Sequence, residues 1–365
     1  MSSPAFPTDV LSLVDLRSDT VTRPTPEMYE AMANAPLGDD VLGDDPTVIE
    51  LETLAAEMTD KEASLFVPSG TMSNQIALAA HCERGDAILI EEEAHILYYE
   101  VGAPALLAGV VSWTLPSNRG AMDPEQIKRR ILKRDLHTPG TALLCLENTH
   151  NRAGGAIIPL ETMEAYRGIA DLHGIKIHLD GARVFNAAVA LGVPVHDITR
   201  CVDTVSVCLS KGLRSPIGSV LCGPTELIDK ARIWRKRLGG GMRQAGILAA
   251  CGIVSLTKMV DRLAEDHARA KNLAGAIGGI PGISVDLETV ETNMVLVTTE
   301  APATDWQVWL KQEGLLCFPV GANRLRLVFH GDIDDDATSR AIQAFRTVSD
   351  RTHGPRGIIG MLGTK

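Results

Sequence analysis

The chain has 365 residues, 45% hydrophobic, 22% charged and 4% aromatic, and 35 basic residues against 46 acidic ones leave a net charge of −11. That length supports one large domain with a smaller one beside it, and the ordinary composition excludes a disordered or fibrous chain. The acidic balance argues against a general binder of nucleic acid or of anionic membranes. Seven cysteines, at 82, 145, 201, 208, 222, 251 and 317, form no C-x-x-C pair. Several lie inside apolar runs, which suits a reducing compartment. The first residues lack the basic-then-apolar pattern of a secretory signal, and no apolar run reaches membrane-spanning length. A soluble cytoplasmic protein is expected.

In chain order, residues 1–14 carry Ser2, Ser3, Pro4 and Pro7 and are expected to form a loose arm. DLRSDTVTRPTPEM is too rich in Thr and Pro for a helix until Pro26, where PEMYEAMANA takes helical spacing. The loop LGDDVLGDDPT sets four aspartates around two glycines, an unusual density for a solvated turn. A helix over 48–59 shows apolar residues at 51, 54, 55 and 58. ASLFVPSGTMSNQIALAAHC reads strand, tight turn, helix. Ser69, Gly70 and Thr71 fall where that helix begins, which suits either a bound phosphate or a plain N-cap. AILIEEEAH, GVVSWTLP, TALLCLENTHN, IKIHLD, TVSVCLS and GSVLCG continue the apolar runs. Helical segments lie between them, clearest in ETMEAYRGIADLH, where Met163, Tyr166, Ile169 and Ala170 share a face. This alternation predicts an α/β fold, a mostly parallel central sheet with helices on both faces. Beyond Ile253 a long charged helix, TKMVDRLAEDHARAKNLAGAIG, leads to NMVLVTT, DWQVWLKQEG, RLRLVFH and AIQAFRTV, a smaller α+β C-terminal domain. The expected division is an arm over 1–14, a large domain over 15–258, a small domain over 259–351 and a tail over 352–365.

Two strand ends carry chemistry. IKIHLDGARVFNAA turns abruptly polar at Asp180, Gly181 and Arg183, and a carboxylate at the carboxyl end of a strand points into the crevice where open α/β sheets hold ligands. The run TVSVCLS ends in Lys211. An amine and a carboxylate delivered to one sheet edge match pyridoxal phosphate, whose aldehyde needs the amine and whose pyridine nitrogen needs an anion. No G-x-G-x-x-G, Walker A, H-E-x-x-H or G-x-S-x-G pattern occurs, so dinucleotide, nucleotide, zinc-protease and serine-hydrolase readings lack their usual support. No cluster of His and Asp at metal-ligand spacing is visible, and no metal is expected.

DLRSDTVTRPTPEM, GDDVLGDDPT, LENTHNRAGG, HLDGARVFNAAV, CLSKGLRSPIGS and RLGGGMRQAGILAA resemble the low-specificity L-threonine aldolases, which are fold-type I pyridoxal-phosphate enzymes. The resemblance runs from residue 14 to residue 345. It implies retro-aldol cleavage of L-threonine, L-allo-threonine and related β-hydroxy-α-amino acids to glycine and an aldehyde. A β-elimination on the same scaffold, or a non-catalytic pyridoxal-phosphate-binding protein, is the alternative.

The resemblance also implies roles. Lys211 is the lysine that forms a Schiff base with the cofactor, Asp180 the partner of its ring nitrogen, and Gly70 and Thr71 its phosphate cup. Arg243 resembles an arginine that reaches the phosphate of an adjacent subunit, which implies a homo-oligomer, a tetramer built from dimers that share active sites. Ser18, Arg183 and Arg326 grip the substrate carboxylate, Arg183 beside the cofactor as well. Arg324 shares a strand face with Arg326, so which of the two points inward rests on the alignment. His95 stacks on the cofactor ring and His137 lies near the substrate hydroxyl; either histidine, or an ordered water, is the base. His178, one strand period from Asp180, is expected to support that carboxylate. Two positions depart from the pattern: Leu42 stands where many relatives have tyrosine, and Arg214 where the residue is usually small.

Overall fold

In the computed structural model, which describes residues 13–353, seven of the apolar runs pair into one sheet. They are β1 (Ala63–Val67), β2 (Ala87–Glu91), β3 (Val111–Leu115), β4 (Thr141–Glu147), β5 (Lys176–Gly181), β6 (Thr204–Cys208) and β7 (Ser219–Gly223). Their spatial order is β1-β7-β6-β5-β4-β2-β3. The pairs among β2 to β6 are parallel, whereas β7 runs antiparallel to β1 and β6. Parallel neighbours need a crossover, and the intervening helices supply it.

Strand β5 shows how one segment serves both faces of the sheet. Ile177 and Leu179 are buried with Met163, Tyr166, Ile169 and Ala170 of the helix Leu160–His173, the stripe read from the sequence. His178 and Asp180 point the other way, to the helix Gly70–His81, where both meet Asn74. Alternation of successive side chains dictates this split. The last residue of the strand, Gly181, is glycine because a Cβ there would stand 2.6 Å from Val205 Cγ2 and 3.0 Å from the Ser206 carbonyl oxygen.

The acidic loop is no solvated turn. Asp45 caps the helix Pro46–Thr59, accepting from the amides of Thr47 and Val48 at 3.1 Å, and its second oxygen accepts from Gly246 N at 3.0 Å. Asp40 pairs with Arg235 at 2.9 Å in a buried ion pair. Asp39 pairs with Arg243 at 2.9 Å nearer the surface. Three of the four carboxylates face cations or an amide of the segment 235–246, and Asp44 Oδ1 accepts from Asp39 N at 2.6 Å within the loop.

These elements belong to a unit spanning 22–263; residues 13–21 and 264–353 form a second. The second unit has a four-stranded antiparallel sheet in the order Ile283–Ser284, Met294–Thr299, Arg324–Val328, Phe318–Gly321. Leu16, Trp306, Phe329 and Phe345 meet in its core. Val14–Asp15 pairs in parallel with Leu315–Leu316, Leu16 N donates to Leu316 O at 2.9 Å, and Val328 N donates to Leu16 O at 2.9 Å. Backbone pairing therefore ties 15–21 to the second unit, where the sequence division had set it in the large domain. The other boundary moves from 258 to 263. The single long helix expected there is interrupted: a π-helical turn, Ser255–Met259, precedes the helix Leu263–Ile277, and Leu263 is buried in the core of the large unit. Of the expected arm only residues 13 and 14 are described, and of the expected tail only 352 and 353, which end the helix Asp335–His353.

Candidate active site

Strands β4, β5 and β6 end side by side, with Glu147 opposite Asp180 and Asp180 opposite Ser206. Chain direction alone therefore delivers Glu147, Asp180 and, after a short turn, Lys211 to one sheet edge. The Asp180 carboxylate is 3% exposed. Its Oδ2 accepts from Asn74 Nδ2 at 2.8 Å and lies 3.9 Å from His95 Nδ1, and its Oδ1 accepts from Ala182 N at 3.1 Å. Burial by itself would raise this carboxyl. The charges of His95 and Lys211, the Asn74 amide and His178 outweigh burial and hold it below the usual carboxylate range. Lys211 also acts on His95, opposing its protonation. The amine, the carboxylate and the imidazole thus share one field.

The sequence reading missed Asn74, Gln75 and Glu100. Asn74 Nδ2 donates to Glu100 Oε1 at 2.9 Å as well as to Asp180, Gln75 Nε2 donates to Glu100 Oε2, and His95 Nδ1 lies 3.1 Å from Glu100 Oε1. Burial pushes the Glu100 carboxyl up, and Asp180 adds to this while His95, Asn74 and Gln75 oppose it. Burial would lower the His95 imidazole, but its bond to Glu100 and the charge of Asp180 carry it above its ordinary value. The available signal was spacing: Asn74 lies one helical turn past Gly70, on the face that covers β5. Ligand atoms of His95, Glu100 and Asp180 lie within 4.8 Å of one another, a grouping that the sequence spacing did not suggest. The Asn74 amide donates to both carboxylates, so hydrogen bonds already bind them together.

His95 is held from behind. Its backbone N donates to Glu147 Oε2 at 2.6 Å, and Glu147 Oε1 accepts from Asn151 N at 2.8 Å. His150 Nε2 pairs with Glu91 Oε2 at 2.9 Å and lies 3.9 Å from Glu147 Oε2. These acids end β2 and β4, so two strand ends set the height of the His95 loop.

The helix Gly70–His81 starts at Ser69, whose Oγ accepts from Met72 N at 3.2 Å. Beside it the Ser219 Oγ is buried with no hydrogen-bond partner, 3.5 Å from where a Gly70 Cβ would stand. An orphaned hydroxyl next to free helix amides is what a phosphate group satisfies. From Gly70 to Asn74 the helix rises about 6 Å, comparable to the reach from the phosphate arm of pyridoxal phosphate to its ring nitrogen. The donor set fits that cofactor at both ends.

The remaining expected residues are placed as follows. Arg183 is buried, three residues past Asp180, and precedes the helix Val184–Leu191. Arg243 is largely exposed and pairs with Asp39 of its own chain. His137 is exposed in the turn before β4. That turn is at the amino-terminal edge of the sheet, opposite the Asp180 edge, so within one chain His137 does not join Lys211 and Asp180. In the second unit, Ser18 Oγ accepts from Thr20 N at 3.2 Å. There Arg324 is exposed while Arg326 is partly buried, with its Nε fully enclosed. Leu42 is 74% exposed. Arg214 has a left-handed backbone, φ 69°, a conformation that favours glycine over any residue with a Cβ. Its N donates to Lys211 O at 2.9 Å and its Nε to Arg23 O at 3.0 Å, while Thr22 Oγ1 donates to Lys211 O at 3.0 Å.

Residues 15–300 match the β-eliminating lyase family. The probable low-specificity L-threonine aldolase 2 of Arabidopsis thaliana is 45% identical over 343 residues, 92% of this chain and 97% of the relative. The low specificity L-threonine aldolase of Escherichia coli (strain K12) is 40% identical over 337 residues, 92% of this chain and 98% of that one. In fold, the chain is similar to the crystal structure of a protein from Exiguobacterium sp. 255-15 described as a putative aromatic amino acid beta-eliminating lyase/threonine aldolase. The TM-score is 0.79 at 21% identity, covering 93% of this chain and 99% of the other.

Proposed function

Since this chain belongs to the low-specificity L-threonine aldolases of the β-eliminating lyase family, we propose that its Lys211, Asp180 and His95 carry out pyridoxal-phosphate-dependent retro-aldol cleavage. The substrates are L-threonine, L-allo-threonine and related β-hydroxy-α-amino acids, and the products are glycine and an aldehyde. The observation that carries this reading is that parallel strand ends bring Asp180 and, one short turn later, Lys211 to one sheet edge, with His95 Nδ1 3.9 Å from Asp180 Oδ2.

Bound pyridoxal phosphate supplies an aldehyde for amines and a protonated ring that takes up the electron pair left when a bond at the substrate Cα breaks. Lys211 tethers it through its amine. Asp180, ionised and fixed by Asn74 and Ala182 N, keeps the proton on the ring nitrogen. The amides of Gly70 and Thr71, with Ser219 Oγ, hold the phosphate, and Arg243 of a neighbouring subunit adds charge to it. His95 would be the imidazole beside the ring. Its Nδ1 faces Glu100, so Nε2 is the atom left to exchange a proton with the β-hydroxyl. Arg183 would grip the substrate carboxylate, a task the resemblance also gives to Ser18 and Arg326, and such a grip would orient the bonds at the substrate Cα.

A homo-oligomer, a tetramer built from dimers, is part of the same proposal. The exposure of Arg243 and of Tyr98, Tyr99, Val101 and Leu106, in the segment after His95, supports it. In such an assembly His137 belongs to a neighbour's site. A reducing, cytoplasmic setting agrees with seven free cysteines. No helix among the described residues is long and apolar enough to cross a membrane.

Product analysis with threonine tests the reaction. Glycine and acetaldehyde in equal amounts are expected; ammonia and a keto acid would mark a β-elimination and overturn the reading.

A further inference from the structure

Behind Asp180 a line of buried polar groups runs along the sheet, and the mechanism above uses none of its outer members. Asn74 spends both amide hydrogens on carboxylates, so its Oδ1 can only accept. His178 Nε2, 3.1 Å from that oxygen, is therefore the donor. Burial pushes the His178 imidazole down to about 4, so it is neutral and its Nδ1 carries no hydrogen. Thr204 Oγ1, 2.9 Å away, must then donate its single hydrogen to Nδ1. With that hydrogen spent, Thr204 Oγ1 accepts from His81 Nε2 at 2.9 Å. Burial pushes His81 down to about 3, with the neighbouring His178 adding to the fall, so it too is neutral. Every bond in the series thus points one way, from His81 through Thr204 and His178 to Asn74 and the carboxylate. His178 does not touch Asp180; it fixes the residue that does.

We propose that Thr204, His178 and His81 are positioning residues for the reaction, a directed hydrogen-bond relay that locks Asn74 in the orientation which keeps Asp180 aimed and ionised. The relay spans three elements: β5, β6 and the helix Gly70–His81. A plain core packing role requires no particular proton placement, whereas the relay permits a single set. The inference rests on Asp180 being the partner of the ring nitrogen.

Neutron diffraction of the deuterium-exchanged holoenzyme reads the proton positions without any substitution. Deuterium is expected on Nε2 of His178 and of His81, none on His178 Nδ1, and the Thr204 hydroxyl aimed at His178. Deuterium on His178 Nδ1 overturns the relay, and does so even in an enzyme that cleaves threonine normally, so this failure is separate from failure of the proposed reaction. Thr204→Val keeps shape and removes both bonds. It is expected to lower kcat about tenfold, the equivalent of the one buried bond that reaches His178, with KM for threonine little changed. It should also move the titration of the visible cofactor band to higher pH, because a less firmly held ring proton repels a proton on the Lys211 nitrogen less. Thr204→Ser should restore both properties. A Thr204→Val enzyme with wild-type kcat and an unmoved band titration overturns the proposal.

Discussion

Asn74 and Asp180 are 106 residues apart in sequence, yet Asn74 Nδ2 sits 2.8 Å from Asp180 Oδ2. The same nitrogen donates to Glu100, so one amide neutralises part of two buried carboxylates. Asn74→Asp puts a third carboxylate among them and removes both donors. A buried hydrogen bond to a charged group contributes about 1.5 to 3 kcal/mol, so kcat for threonine should fall about tenfold to a hundredfold. Steady-state kinetics check this, and a kcat equal to that of the native enzyme would show that Asp180 does not depend on Asn74.

The pair of His150 and Glu91 makes stability depend on pH in a stated direction. Burial would lower His150, but its bond to Glu91 and the charges of Glu147, Glu91 and Glu93 raise it above 6.5. Burial would raise Glu91, but His150, Ser117 and the Glu93 amide hold it below 4.5. A raised imidazole gives stability that is full below pH 6.5 and lost as pH rises through the folded value; a lowered carboxyl gives stability that is lost as pH falls through its folded value. The pair contributes most between these limits. The pair therefore adds to thermal melts a component that falls from mildly acid to mildly alkaline pH, and Glu91→Gln should remove that part of the slope. Removing one partner of a buried pair costs about 3 kcal/mol. An undiminished slope in Glu91→Gln contradicts the assignment.

Arg214 separates strain from hydrogen bonding. A non-glycine residue in the left-handed region costs about 1 kcal/mol, and here the side chain offsets it by donating to the Arg23 carbonyl. Arg214→Gly removes strain and bond together and should change stability by less than about 1 kcal/mol. Arg214→Ala keeps the strain and loses the bond, and should cost about 1 to 2 kcal/mol. Urea denaturation of the three proteins decides; an alanine variant as stable as the glycine one contradicts this account.

Much of this was legible beforehand, for a physical reason. Strand ends carry polar residues where apolar runs stop, so Asp180 and Lys211 stood out at the edge where a parallel sheet exposes its carboxyl ends. The stripe at Met163, Tyr166, Ile169 and Ala170 gave the covering helix because helical spacing follows from burial. Asn74, Gln75 and Glu100 were hidden because each reads as an ordinary helix or loop residue until the fold brings it to Asp180. His137 was legible only as a residue type, because its turn opens β4 at the edge away from Asp180 of its own chain. The segment 15–21 was misplaced because a two-residue strand, Val14–Asp15, leaves no periodic pattern, and only its partner Leu315–Leu316 reveals where it belongs.

The most direct test of the account is the visible absorption spectrum of the purified protein beside that of Lys211→Ala, each followed by threonine addition and aldehyde detection. The native protein should show the yellow band of a cofactor joined to Lys211 and should release aldehyde. The variant should lose both. A variant that lacks the band and still releases aldehyde at the native rate would contradict the assignment of Lys211.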